Sequence, residues 1–117
     1  MRPSLLLLLP LLAAACSADT LNYAGTIRPL AGTCDPIAQA VLTRRDTTIL
    51  FAPAAGTLIL RGQLTGEKTL AADLTLTDPN KQPYHLTFQG KLDGKRVDGT
   101  YTTPRCRYAV NLSLTGD

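Results

Sequence analysis

The sequence predicts an all-β domain, an eight-stranded antiparallel up-and-down β-barrel. Three observations carry that expectation. Apolar and polar residues alternate with period two through most of the chain. Turn-forming residues fall between the alternating runs. Two well-separated cysteines, Cys34 and Cys106, lie where a barrel would bring its first and last strands together. A β-sandwich, or a barrel with a short helix at 36–44, fits the same pattern less directly.

Strands are expected near residues 20–28, 37–44, 47–52, 57–64, 68–77, 83–92, 95–103 and 106–115. In 68–77, Leu70, Ala72, Leu74 and Leu76 share one side and Asp73 and Thr75 the other. In 83–92, Tyr84, Leu86, Phe88 and Leu92 oppose His85, Thr87, Gln89 and Lys91. In 106–115, Tyr108, Val110, Leu112 and Leu114 oppose Arg107, Ala109, Asn111 and Ser113. Such strands bury one face and wet the other, as antiparallel sheets do. Sixteen threonines after the leader suit the wetted faces. The second segment has two readings. Asp35-Pro36 can cap a helix over IAQAVLTRR, and the same residues can form a strand that turns at Arg-Arg-Asp. The strand is chosen because every other segment alternates.

Asp93-Gly94 and Thr65-Gly66 mark tight hairpins, where glycine supplies positive φ. Asp78-Pro79-Asn80-Lys81 fits a type I turn. Residues 58–68 (LILRGQLTGEK) align with 86–96 (LTFQGKLDGKR), matching Leu, Gly, Leu and Gly at four positions. Each copy reads as a strand, a glycine that permits a bend, and a tight turn.

The chain opens MRPSLLLLLPLLAAACSA. Arg2 precedes an apolar run too short to cross a bilayer, which needs about 20 residues, and small residues follow. Residues 1–15 therefore read as a secretory signal peptide. The stretch Leu12 to Cys16 resembles the lipobox of bacterial lipoproteins, in which small residues precede a lipidated cysteine. That resemblance implies lipidation at Cys16, a short tether over 16–19, and sorting to the outer membrane by Ser17, facing the periplasm. Ala13 stands where the family prefers leucine. Ordinary signal-peptidase cleavage after Ala15 or Ala18 is the alternative, giving a soluble periplasmic or secreted protein. Either route leaves one domain, 20–117.

From Cys16 onward the chain has 11 basic and 9 acidic residues, a net +2. Nucleic acid, which selects broad basic stripes, is not an expected partner. An oxidising compartment favours a Cys34–Cys106 disulfide, worth roughly 4 kcal/mol for a loop of about 70 residues in the chain-entropy model. In a barrel that bridge would pin the closing seam near the end of strand 1, placed at Pro29.

Catalytic chemistry has little to work with. His85 is the only histidine and alternation points it outward; Glu67 is the only glutamate; after the leader the serines are Ser17 and Ser113. None sits in a nucleophile motif. Zinc wants three or four Cys, His or carboxylate ligands, so neither a metal nor another cofactor is expected.

The expected role is therefore non-enzymatic binding by a membrane-anchored lipoprotein. Two alternatives stay open. In a lipocalin-like carrier of an apolar ligand, Tyr23, Phe88, Tyr101 and Tyr108 would line a pocket, with room left by Gly25, Gly62, Gly90 and Gly99. Otherwise Leu21, Tyr23, Ile27, Leu58, Leu60, Leu74, Leu86, Phe88, Tyr101, Tyr108, Val110 and Leu112 fill the interior, as eight strands allow. In size, anchor and expected barrel the chain also resembles the membrane-bound lysozyme inhibitors of Gram-negative bacteria. That likeness implies inhibition of a secreted or envelope enzyme, although their serine–glycine-rich inhibitory loop has no counterpart here. For a protein partner, the expected contact is a charged rim formed by Arg44, Arg45, Arg105 and Arg107.

Overall fold

The computed structural model describes residues 19–54 and 58–115. The expected signal peptide and Cys16 lie outside the described residues. Eight strands follow in order: β1 (Thr20–Gly32), β2 (Ala40–Arg45), β3 (Thr48–Ala52), β4 (Leu60–Thr65), β5 (Thr69–Thr77), β6 (Pro83–Asp93), β7 (Arg96–Thr102) and β8 (Cys106–Leu114). Each pairs antiparallel with its neighbours in sequence, and β1 pairs with β8 to close a barrel. Closure rules out the sandwich. It also settles the 36–44 segment: Val41 to Arg45 pair with β1 on one side and β3 on the other. Ala40 and Leu42 are fully buried while Val41 and Thr43 are not. That alternation belongs to a strand, and no helix forms.

The two ends of the barrel differ. At one end the chain enters at Thr20, leaves after Leu114, and makes the short turns 46–47, 66–68 and 94–95. We call it the turn end. Asp46, Gly66, Glu67 and Gly94 adopt positive φ there. The carbonyls of Thr47, Lys68 and Lys95 accept hydrogen bonds from the N–H groups of Leu64, Leu92 and Leu114, at 2.7, 2.8 and 2.8 Å. The copies 58–68 and 86–96 thus share their geometry, although one turn has three residues and the other two. The opposite, loop end carries 33–39, 53–59, 78–82 and 103–105. There the Asp78 carbonyl accepts from Lys81 N–H at 2.9 Å, the bond of the expected turn, and its carboxylate accepts from the N–H groups of Asn80 and Gln82, both at 2.8 Å.

Inward residues pack the interior. Phe51 stacks on Phe88 with centroids 4.3 Å apart, Tyr101 lies 5.6 Å from Phe51, and Tyr108 stacks on Tyr101 at 5.6 Å. Leu42, Ile49, Leu60, Val97 and Val110 are fully buried around them. Leu21, Leu58 and Leu74, also expected inside, are half-buried at the margins of this core. The glycines do not leave a pocket. Gly90 and Gly99 face each other on β6 and β7, and a Cβ on either would meet the Phe88 ring at 2.9 or 2.8 Å. Their missing side chains are the space that ring occupies. At Gly62 a Cβ would fall on the Ala71 carbonyl, so the strands could not approach as closely.

The Gly90–Phe88 relation yields an expected outcome. Gly90→Ala should lower unfolding free energy by about 1–3 kcal/mol through overpacking. In a Phe88→Leu background the same substitution should cost less by about 0.5 kcal/mol or more. Urea titration of the four proteins measures the coupling, and strict additivity would show that the ring does not need the glycine.

Candidate functional site

The expected rim of four arginines does not form. Arg44 pairs with Leu21, near the start of β1, whereas Arg107 pairs with Ala31, near its end. Ten residues of strand separate them, about 30 Å at the rise of an extended chain. Arg44 and Arg45 therefore belong to the turn end, and Arg105 and Arg107 to the loop end. Arg44 also stands on the inward register, opposite Ile49, and its Nε donates to the Asp46 carbonyl at 2.9 Å.

The seam at the loop end gathers other residues. β1 does not stop near Pro29; it runs to Gly32, with Pro29 opposite Tyr108 and a bulge before Ala31. Between Thr26 and Gly32 it has a partner strand on the β8 side only, a setting that tolerates proline. Leu30 follows Thr26 and Arg28 on the outward register and is 54% exposed, and the bulge shifts Ala31 to the outer face, opposite Arg107. Arg28, opposite Ala109, and Arg107, opposite Ala31, lie on the same outer face, both exposed.

Several contacts fix this corner. Cys34 and Cys106 are disulfide-bonded, their Cα atoms 5.0 Å apart. Thr33 N–H donates to the Arg105 carbonyl at 2.8 Å. Gly32 has φ +93°, and a Cβ there would strike that same carbonyl. The Thr103 hydroxyl accepts from the N–H groups of Arg105 and Cys106 at 3.2 and 3.0 Å. Tyr108 Oη donates to the Asp35 carbonyl at 2.8 Å, holding the 33–39 loop against the barrel. Sequence reading missed Arg28 and Leu30. The available signal was Pro29, since a proline inside a strand marks a bulge or an edge.

Tyr23, Phe88, Tyr101 and Tyr108 are brought together inside the barrel, each buried in the core. The two hollows that stand out, of about 320 and 500 Å³, lie on the outer face over Gly62, Gly90 and Gly99. Their margins carry Arg61 and Lys91 against Asp73 and Asp98, a balanced set with no charge preference. Asp98 accepts from Asn111 Nδ2 at 2.8 Å and lies 3.5 Å from Arg96. That hydrogen bond first, then the guanidinium, hold its carboxyl below the usual range. His85 is exposed beside the Thr75 hydroxyl at 3.0 Å. Among the described residues no cluster of three His, Cys, Asp or Glu could hold a metal.

Burial pushes the Tyr101 phenol up to about 12, with Tyr108 and Tyr84 adding to the shift. Burial also raises Tyr108. Below pH 10 Tyr101 is neutral whether folded or not. Above it the unfolded chain ionises while the fold resists, so stability falls as pH rises from about 10 to about 12. The Tyr101 share of that loss is on the order of 2 kcal/mol. Tyr101→Phe should flatten much of the decline in denaturant midpoint between pH 9 and pH 11.5. An unchanged slope would place its hydroxyl in water.

Comparison of the chain with family models, curated proteins and solved structures returns no match.

Proposed function

We propose that the chain is a lipid-tethered, non-enzymatic binding protein of the bacterial outer membrane, facing the periplasm, and that its loop end meets the partner. One observation supports this reading above the others: the chain's entry point and its exposed apolar residues occupy opposite ends. Thr20 enters at the turn end, four residues after the proposed lipid site at Cys16. Leu30 and Ile59, 54% and 42% exposed, belong to the loop end. Residues 17–19 can span only about 10–14 Å, so a lipid at Cys16 would hold the turn end near the membrane. Arg45, Asp46, Glu67, Lys68, Asp93 and Lys95, all exposed there, suit hydrated headgroups. The loop end then points away, carrying the large apolar side chains that mark contact surfaces when they cluster.

The alternatives differ in what they need. A carrier needs interior volume, and the packed aromatic core gives that reading nothing to rest on. An enzyme inhibitor is a special case of the proposed binding role, with an enzyme as the partner.

Two measurements test the tether. Protein from the membrane fraction should begin at Cys16 and carry several hundred daltons of acyl chain, and Cys16→Ser should release it into the soluble fraction. On vesicles containing brominated lipid, a fluorophore at Lys95→Cys should be quenched and one at Lys81→Cys should not. An unacylated N-terminus, or equal quenching at both positions, overturns the reading.

A further inference from the structure

We propose that the loop-end half of the β1–β8 seam is a docking surface for an acidic polypeptide segment. Carboxylates of the partner would meet Arg28, Arg105 and Arg107, and an apolar side chain would cover Leu30. The proposal rests on the tethered binding reading and names the surface and the chemistry of its partner.

Charge is the first support. Thr26, Arg28, Leu30 and Ala31 of β1 and Arg107 and Ala109 of β8 make up this outer face, and Arg105 stands just beyond it. The strands of this face carry arginines and no acid, and Asp35, beside Cys34 on the adjoining loop, is the one carboxylate that the described contacts bring to this corner. Among the described residues none of the three arginines takes part in an ion pair; Arg96–Asp98, both on β7, does. Arginine is the cation best suited to carboxylates, because its planar fork binds both oxygens at once.

The second support is Leu30. A leucine 54% exposed among arginines has no role in the barrel core. It continues the outward register of Thr26 and Arg28, and the bulge beside it brings Ala31 to the same face, opposite Arg107. An apolar centre with an arginine rim matches the make-up of protein–protein contacts, where arginine is enriched and lysine depleted.

Rigidity is the third. The Cys34–Cys106 bridge, the Thr33–Arg105 hydrogen bond and the Thr103 hydroxyl hold the arginine-bearing backbone in place. A surface already ordered loses little freedom on binding. The position favours a polypeptide over a lipid surface, since the tether holds the opposite end at the membrane. The seam also protects itself from wrong pairing: Arg28, Pro29 and the bulge within Thr26–Gly32 discourage addition of a foreign strand. The partner is therefore expected to lie across the face and not to extend the sheet.

The test uses the mature protein, isolated from whichever cell fraction holds it and kept in nonionic detergent, and a fluorescein-labelled twelve-residue peptide of Glu-Glu-Leu repeats, read by fluorescence anisotropy. Saturable binding that weakens with salt is expected. Arg28→Glu with Arg107→Glu should weaken it at least tenfold, and Leu30→Ser several-fold. Arg44→Glu with Arg45→Glu, at the other end, should leave it unchanged. All substituted side chains but Arg44 are exposed, and matching thermal transitions confirm that each variant folds. An all-glutamate peptide binding as tightly would remove the role of Leu30. Absence of peptide binding, equal binding by the Arg28/Arg107 variant, or binding to phosphatidylglycerol vesicles through these arginines without peptide binding overturns the proposal. The assay does not depend on acylation, so failure of the tether and failure of the surface are told apart.

Discussion

The pairing of β1 with β8 is the contact on which the rest of the structure depends. Every other strand pair joins neighbours through a turn or loop, and each can form locally. This one joins residues from opposite ends of the domain, from Tyr23 opposite Leu114 to Gly32 opposite Cys106. It is fastened twice. The disulfide spans a sequence separation of 72 at the loop end, and Thr115 N–H donates to the Asn22 carbonyl at 2.8 Å at the turn end. In the chain-entropy model such a bridge contributes about 4 kcal/mol, a large share of the 5–15 kcal/mol typical of folded domains. Without the seam the sheet would have two open edges. The wall that covers Phe51, Phe88 and Tyr101, supplied by Tyr23, Ile27, Tyr108 and Val110, would come apart.

The same seam positions the proposed docking surface. Gly32 lets β1 approach the Arg105 carbonyl, the disulfide fixes Cys106 between Arg105 and Arg107, and the bulge brings Ala31 to the outer face beside Leu30. Fold and surface therefore share one set of constraints. Reduction of the bridge would loosen both together, which suits a protein of an oxidising compartment.

Most of the fold was legible because its signals are local. Alternation in β5, β6 and β8 identified the inward faces, and Asp78-Pro79, Gly66 and Gly94 marked turns that form as residue chemistry dictates. The 36–44 segment was not legible to the same degree. Its N-cap, proline and alanines satisfy a helix, and only burial of Ala40 and Leu42 between two partner strands decides for β2. The glycines misled in a different way. An absent side chain reads as empty space, yet whether a neighbour fills it is a tertiary fact, and Phe88 does. For the site, the up-and-down order alone separates the arginines. β2 ends at the rim where β1 begins, so Arg44 and Arg45 could not join Arg105 and Arg107. Leu30 follows Arg28 on the outward register, but the expected strand ended near Pro29, and only pairing with β8 carries β1 on to Gly32.

The contrast between the two ends explains why an interaction surface belongs at only one of them. At the turn end, connections of two or three residues leave almost no chain beyond the ladder, and the Thr47, Lys68 and Lys95 carbonyls are already bound by the strands they abut. A change there alters register and propagates into the core. At the loop end, connections are longer and the 33–39 segment is held by the disulfide, the Thr33–Arg105 hydrogen bond, the Tyr108 hydroxyl and the packing of Ile37 on the core. It retraces about 23 Å of β1, from Gly32 back to the level of Gly25, with seven residues. That length is nearly fully extended, so the segment is taut without being part of the sheet. Outward side chains beside this connection, Cys34 apart, can change without altering the ladder that closes the barrel. With tight turns at one end and longer connections at the other, the geometry of the turns leaves the loop end as the place for the proposed binding chemistry.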